Sequence, residues 1–443
     1  MPSLPIRLAA SGSLARHPDF RKVWLGETVS QFGGQITYLA IPLAAALLLG
    51  ASPAEMGLLG AMGLLPYLLM SLPAGVLIDR SRRRPILVAS SLAMAAGLLV
   101  VPAAYVAGVL SMPILYVVSL ISGAGGLVYD VAAQAYLPTL IERRQLIEAN
   151  GKLEISRSAA QVAGPGIGGV LVGLLTAPIA ILVDSVALFA AGLMMTRIRS
   201  PEPAPAAPAR RPSMIHEIHE GLRLVLRSSI LRSIALTMAT YFFFDQMVQS
   251  VYILFVTRDL GLTPGEVGLI YAIGNLGLIA GALLAGRIAA RFGVGPTLMV
   301  AIFSSSCFGL LVPLAGSREY AIPLLILARL GMSFGIPVWM INQISLRQSI
   351  TPDRLLGRLT ATMKFVSIGV APLGAVIGGI LGSAIGVHAA LVFAAVGSLT
   401  SVLWLIRSPV RDLHLAPRAW TPEEAFEAEF EAAAESPHTI PIT

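Results

Sequence analysis

Five ionisable residues interrupt long apolar runs of this sequence: Glu27, Asp130, Asp184, Asp245 and Arg329. Ionisable groups are costly inside apolar spans and are kept where a charge or a proton has to be handled. A carboxyl held away from water binds its proton more tightly, and so loads and loses it nearer neutral pH. Asp245 lies midway along its run and is the first candidate for proton coupling, against a static hydrogen-bonded role. Asp130 and Glu27 stand nearer one end of theirs and fit either role. An arginine stays charged, so Arg329 is a counter-ion to one of these acids or a ligand for an anionic substrate group. Other chemistries lack their residues. Five of the six histidines lie outside the apolar runs and His388 sits at the end of one. No Ser/His/Asp or metal-ligand grouping recurs, and the phosphate-binding pattern G-x-x-x-x-G-K-[ST] is absent. With Cys307 as the single cysteine there is no disulfide framework. The sequence therefore predicts no enzyme, no cofactor and no metal.

The elements that carry these residues are set by composition. Of 443 residues 56% are hydrophobic and 12% charged, about half the charge of a soluble domain. A chain this long cannot hide that much apolar surface in one core, so the bilayer is its solvent. Runs long enough to cross the hydrocarbon core number twelve, from 22–49 to 388–407, predicting an all-α membrane protein. The 43 Gly and 30 Pro, disruptive in soluble helices, are tolerated in packed spans. The chain divides into a segment 1–21, a six-helix half 22–197, a linker 198–228, a second half 229–407 and an acidic tail 408–443. In the linker, apolar residues from Ile215 to Leu226 recur at helical spacing, which predicts an interfacial amphipathic helix. An even number of spans puts both termini on one side. With that side inside, Arg80, Arg83, Arg84 and most other cations fall in inner loops, so Lys/Arg bias predicts an inner-membrane protein with cytoplasmic termini. The net charge of +7 is spread along a membrane face, which excludes a nucleic-acid partner.

The halves are copies. Ser52–Leu87 aligns without a gap on Thr263–Leu298 at a constant offset of 211 residues, with Pro53/Pro264, Glu55/Glu266, Gly57/Gly268 and Arg80/Arg291 identical. Shared apolar composition does not readily put Pro, Glu and Arg in register, so the repeat is real. Parallel six-span repeats related by an axis along the membrane normal, with a site between them, are a transporter's architecture.

Two motifs sharpen this. The loop from Gly75 through Asp79, Arg80, Arg83 and Arg84 resembles the G-x-x-x-D-R-x-x-R-R signature of the major facilitator superfamily, with Arg82 where a glycine is usual. Gly164, Pro165, Gly168 and Gly169 resemble the G-P-x-x-G-G core of that superfamily's drug:proton antiporter branch, which includes macrolide-efflux and enterobactin-exporter proteins. The resemblance covers nearly the whole chain. It implies the major facilitator fold and a cavity lined by the first, fourth, seventh and tenth spans, which carry Glu27, Asp130, Asp245 and Arg329. Tyr38, Tyr241, Phe244, Met247 and Trp339 on those spans are candidates to line it. Asp184, on the sixth, fits packing or gating better than the cavity. Asp79, at a helix end, suits a latch against the N-terminus of the eleventh span near Gly357. The implied function is proton-coupled efflux of an amphiphilic drug, antibiotic or siderophore-like metabolite by a monomer, with proton-coupled uptake as the alternative.

Overall fold

The computed structural model describes Leu14 and residues 17–79, 81–142, 145–200, 202 and 214–413. The first half comprises α1 (Pro18–Leu47), α2 (Pro53–Asp79), α3 (Arg83–Val106), α4 (Met112–Leu140), α5 (Leu146–Leu175) and α6 (Ala177–Thr196). The linker contributes α7 (Met214–Arg227). The second half follows as α8 (Ser229–Leu254), α9 (Pro264–Gly274), α10 (Leu276–Phe292), α11 (Val294–Gly309), α12 (Arg318–Ile350), α13 (Asp353–Gly369), α14 (Ala371–Ile385) and α15 (Val387–Leu399). The pairs α9–α10 and α13–α14 each form one broken span. Nine helical stretches among the described residues are long and apolar enough to cross a bilayer. The other three spans are α1, α8 and the short α11. Two of these carry the polar faces that line the cavity, which lowers their mean hydropathy without removing them from the bundle. Twelve spans in two halves result.

The matched Pro and Glu of the repeat mark two helix starts. Thr263 and Glu266 close a capping box at the start of α9, with the Glu266 carboxylate accepting from the Thr263 N–H at 2.7 Å and its hydroxyl at 2.9 Å. Ser52 and Glu55 make the same pair of bonds at the start of α2, at 2.7 and 2.8 Å. Each box satisfies backbone donors that the first turn leaves free.

Between these two helices and their partners the halves touch backbone to backbone. A Cβ on Gly57 would stand 2.5 Å from the Ala375 carbonyl and 2.8 Å from the Gly379 Cα. On the other side a Cβ on Gly268 would stand 2.6 Å from the Pro165 carbonyl and 2.9 Å from the Gly169 Cα. Gly57 and Gly268 are repeat equivalents. So are Gly169 and Gly379, at an offset of 210, and with them Gly164/Gly374 and Gly168/Gly378. The G-P-x-x-G-G glycines thus have a second copy in α14, and the two copies seal the face away from the termini. Toward the other face Gly75 and Gly286, again equivalent, have nothing within 4 Å of where a Cβ would be. The bundle is closed on the face away from its termini, and these two glycines make no such crossing on the other.

The linker forms the helix α7 and docks on the second half. Leu224 and Val225 are buried with Leu355, Leu359 and Met363 of α13, while Leu222 and Leu226 remain exposed. Docking on α13 removes part of its apolar stripe from lipid.

The α5–α6 turn carries a strained residue. Thr176 has φ +85°, and its repeat equivalent at the α14–α15 turn is Gly386 with φ +90°. Left-handed backbone is a genuine outlier for a β-branched residue, and the buried Thr176 hydroxyl finds no hydrogen bond in return. Thr176→Gly should therefore stabilise the protein by roughly 1 kcal/mol, raising its unfolding midpoint in detergent, whereas Gly386→Thr should lower it. Gly57→Val and Gly268→Val should each prevent the closed face from sealing. Spin-label distances across that face should lengthen in both, and unchanged distances would refute the role given to these glycines.

Candidate functional site

Two connected chambers lie between the halves. The larger, about 530 Å³, is walled mainly by α1, α2, α4 and α8; the smaller, about 310 Å³, by α8, α9, α10 and α12 with parts of α1 and α5. Gln35, Tyr38, Gln249 and Tyr271 line both. Together they are the size of a pocket for a drug-like ligand. The larger carries neutral polar groups, among them Gln31, Gln35, Gln246 and Gln249, and two acids on an otherwise mainly apolar surface. Gln35 and Gln246 are repeat equivalents.

The smaller chamber brings Asp245 and Arg329 together. They attract each other but form no ion pair within 4 Å, and the Asp245 carboxylate accepts no hydrogen bond among the described residues. Arg329 is held otherwise. Its guanidinium lies 4.3 Å from the centre of the Tyr271 ring, a cation–π contact, and its Nε donates to Asn275 Oδ1 at 3.2 Å. Tyr271 is fixed in turn by edge contacts with Tyr38 and Tyr252, at 6.4 and 5.9 Å between ring centres. Asn275 stands at the break between α9 and α10, where an amide is free to reach sideways. Its Nδ2 donates across the interface to the Gln161 carbonyl of α5 at 2.7 Å. The buried cation is thereby tied, through one amide, to the contact between the halves.

Of the other acids, Glu27 accepts from Tyr129 Oη at 2.6 Å and from Gln31 Nε2 at 3.0 Å, a satisfied carboxylate beside the larger chamber. Asp130 lines that chamber. Asp184 does too, contrary to its expected place away from the cavity.

Among the aromatic candidates Tyr38 and Tyr241 line the smaller chamber. Phe244, Met247 and Trp339 do not line either. Tyr241, Asp245 and Gln249 lie four residues apart and define the cavity face of α8, which turns Phe244 and Met247 to other helices. Phe244 packs on Phe393 of α15, 6.3 Å between rings, beside a separate void of about 20 Å³. Met247 is buried against Gly378, and Trp339 is buried in the core of the second half.

In the gating loop the Asp79 side chain and all of Arg80 lie outside the described residues, and so does any test of the latch from that side. Gly357, its expected partner, has nothing within 4 Å of a Cβ position. Arg83 and Arg84 brace the base of the first half. Both backbone N–H groups donate to the Glu202 carboxylate, and the Arg84 side chain donates to the Met195 carbonyl at 3.0 Å and to that of Thr196, the last carbonyls of α6. Such a cation at a helix C-terminus is favourable. Asp19, ahead of the apolar part of α1, completes this brace. It accepts from Lys22 Nζ at 2.7 Å, from the Ser200 hydroxyl and N–H at 2.7 and 2.9 Å, and from the Arg199 N–H at 3.1 Å. Burial pushes its carboxyl up, but the bonds from Lys22, Ser200 and Arg199 outweigh that and hold it well below the usual carboxylate range.

Among the described residues no group of three or more His, Cys, Asp or Glu is placed to hold a metal. A family model described as transmembrane secretion effector matches residues 11–436. The chain belongs to this major facilitator family. The multidrug efflux pump Tap of Mycobacterium tuberculosis is similar, 26% identical over 381 residues that cover 83% of this chain and 88% of that one. Macrolide efflux protein A of Streptococcus pyogenes is 22% identical over 374 residues, 83% of this chain and 90% of its own. A bacterial homologue of the human lysosomal transporter Spinster, crystallised inward-facing and occupied, shares the fold with a TM-score of 0.68 at 15% identity, over 90% of this chain and 98% of that one. The protein is a multi-pass membrane transporter of the major facilitator superfamily and not an enzyme.

The sequence did not single out Asn275, Gln161, Tyr271 or Asp19. Asn275 had a legible signal: it is an amide in an apolar run where the repeat has Leu64. Asp19 gives a pH prediction. Its carboxyl is held lower in the folded chain than in the unfolded one, so it stabilises above the unfolded value and that contribution disappears as pH falls. Asp19→Asn should cost roughly 2 kcal/mol at neutral pH, and its midpoint deficit against wild type should narrow below about pH 4. Thermal unfolding at two pH values checks both.

Proposed function

We propose that this transporter is a proton-coupled exporter of amphiphilic small molecules, working by alternating exposure of the two chambers. The observation that carries this is Asp245, a partly buried carboxylate between the halves that shares a chamber with Arg329 but, among the described residues, forms neither an ion pair nor a hydrogen bond. A partly buried acid left unpaired is costly, whereas the same acid satisfied by a proton or by a cationic or hydrogen-bonding substrate is not. Occupancy by one or the other is the condition for exchange. The named activities of Tap and of macrolide efflux protein A favour export and a bulky, partly apolar substrate. The glutamine and tyrosine walls suit the ether, hydroxyl and amide groups of such a molecule. Arg329 supplies the counter-charge to Asp245 and is the ligand for an anionic group if the substrate carries one. On this reading the chain acts as a monomer in the inner membrane with both termini in the cytoplasm, as the distribution of arginines supports, and Asp79 latches the inner face near Gly357. The opposite direction, proton-coupled uptake, uses the same residues and differs only in which side loads the substrate.

Expression in a pump-deficient host should raise resistance to at least one class of a panel that includes macrolides, and Asp245→Asn should return it to the level of the empty vector. In proteoliposomes loaded with the compound so identified, acidifying the trans side should drive its flux, and the same variant should reduce that flux to background. Gradient-driven flux at the wild-type rate in Asp245→Asn would remove Asp245 from the mechanism. Accumulation where exclusion is expected would reverse the direction.

A further inference from the structure

Gly34 is the repeat equivalent of Asp245, so the first half has no acid of its own at that place. The neighbouring helix brings one there. Asp184 of α6 lies directly against Gly33, where a Cβ would overlap its Oδ1 and stand 3.0 Å from its Cγ and 3.1 Å from its Cα. Only a glycine admits the carboxyl to this position on the backbone of α1. Asp184 is 2% exposed and lines the larger chamber. Its Oδ1 has no hydrogen bond of good geometry, and the one donor set beside it is the hydroxyl of buried Thr37, which has no other partner.

The charged groups on the helices packed around it are engaged elsewhere or point away. On α1, Asp19 and Lys22 pair with each other and Glu27 is bonded to Tyr129 and Gln31. On α3, Arg84 holds the carbonyls ending α6. On α5, Glu148 pairs with Lys152. No described cation on these helices, Arg21, Arg83 and Arg157 included, comes within the 4 Å of an ion pair with Asp184. Across the chamber the facing titratable groups are Tyr38, Tyr67, Tyr129, Tyr271 and Asp130.

We propose that Asp184 is a second proton-carrying carboxyl of the transport cycle, the functional counterpart in the first half of Asp245 in the second, delivered from α6 onto Gly33. With no cation to pair with, a proton is the counter-ion its site accepts while the chamber is dry. Water entering when the chamber opens allows that proton to leave. This assignment rests on the proton-exchange mechanism above and adds a second site to it, with two protons available per cycle.

Infrared spectroscopy of the full chain in lipid nanodiscs tests it without knowledge of the substrate, because a protonated carboxyl has a C=O stretch that a carboxylate lacks. Wild type at neutral pH should show such a band. Part of it should persist in Asp245→Asn and vanish in Asp184→Asn, and that part should be lost reversibly on raising the pH to about 9. Gly33→Ala, which crowds the carboxyl without removing it, should shift the frequency of the same part and keeps the test decisive if Asp184→Asn does not fold. A spectrum unchanged by Asp184→Asn overturns the second carrier, and so does a contribution that never titrates, which marks a static neutral group. If Asp245→Asn alone changes the band, single-proton coupling stands and only the present assignment fails. If neither variant does, the coupling mechanism fails with it.

Discussion

The halves of this transporter meet through glycines, and the rest of the molecule depends on that contact. Gly57 with Gly379 and Gly268 with Gly169 bring backbones within a distance that a single methyl group would prevent. In a bilayer, where lipid is as apolar as the helices, close packing of this kind is the main attraction available between spans. The glycine crossings lie at the face away from the termini and seal it. An interface made of backbone and small residues has few interlocked side chains to release. It therefore parts at low cost, as a carrier that alternates between two states requires.

The polar groups follow from the same geometry. A buried Arg329 needs partners, and it takes an aromatic face and one amide in preference to the acid that shares its chamber. That choice leaves Asp245 available to a ligand. It also links the charge to the crossing of α5 with the eighth span, since Asn275 holds Arg329 with its oxygen and Gln161 with its nitrogen. Any change in the charge balance around Arg329 is felt by an amide that belongs equally to the interface. A two-state element biased from both sides in this way is the physical content of coupling.

Much of this was legible in the sequence because the bilayer enforces long apolar runs and because duplication left the same glycines, prolines and acids at a fixed offset. The acids and the arginine were legible as exceptions to apolarity. Which side of each helix they face was less so. Phe244 and Met247 share α8 with Asp245, and only the four-residue period from Tyr241 through Asp245 to Gln249 separates the lining residues from the packed ones. Trp339 was a reasonable choice by type but lies in the core of its half. Asn275 and Gln161 escaped notice because one amide among apolar residues carries little signal until its partner, distant in the chain, is seen opposite.

Duplication supplied two equal scaffolds, and the differences between them have accumulated in the lining of the chambers. The crossings retain both copies of the glycines in backbone contact, Gly57 with Gly268 and Gly169 with Gly379, because a seal fails if either side loses one. The lining is under no such constraint. Gln35 and Gln246 remain alike, whereas Asp245 faces Gly34, Asn275 faces Leu64 and Tyr271 faces Gly60. A symmetric carrier would hold its ligand on the axis with equal contacts from both halves. Here the cation and the Tyr271 ring it lies on belong to the second half, and the larger space, with Asp130 and Asp184 among its glutamines, belongs mostly to the first. A ligand filling both chambers is consequently oriented, its charged or polar end toward Arg329 and Asp245 and its bulk toward α2 and α4. On the proposed mechanism, rocking of the halves acts on the bulky end and the state of the Asp245 carboxyl on the other, so that both bear on opposite ends of one molecule.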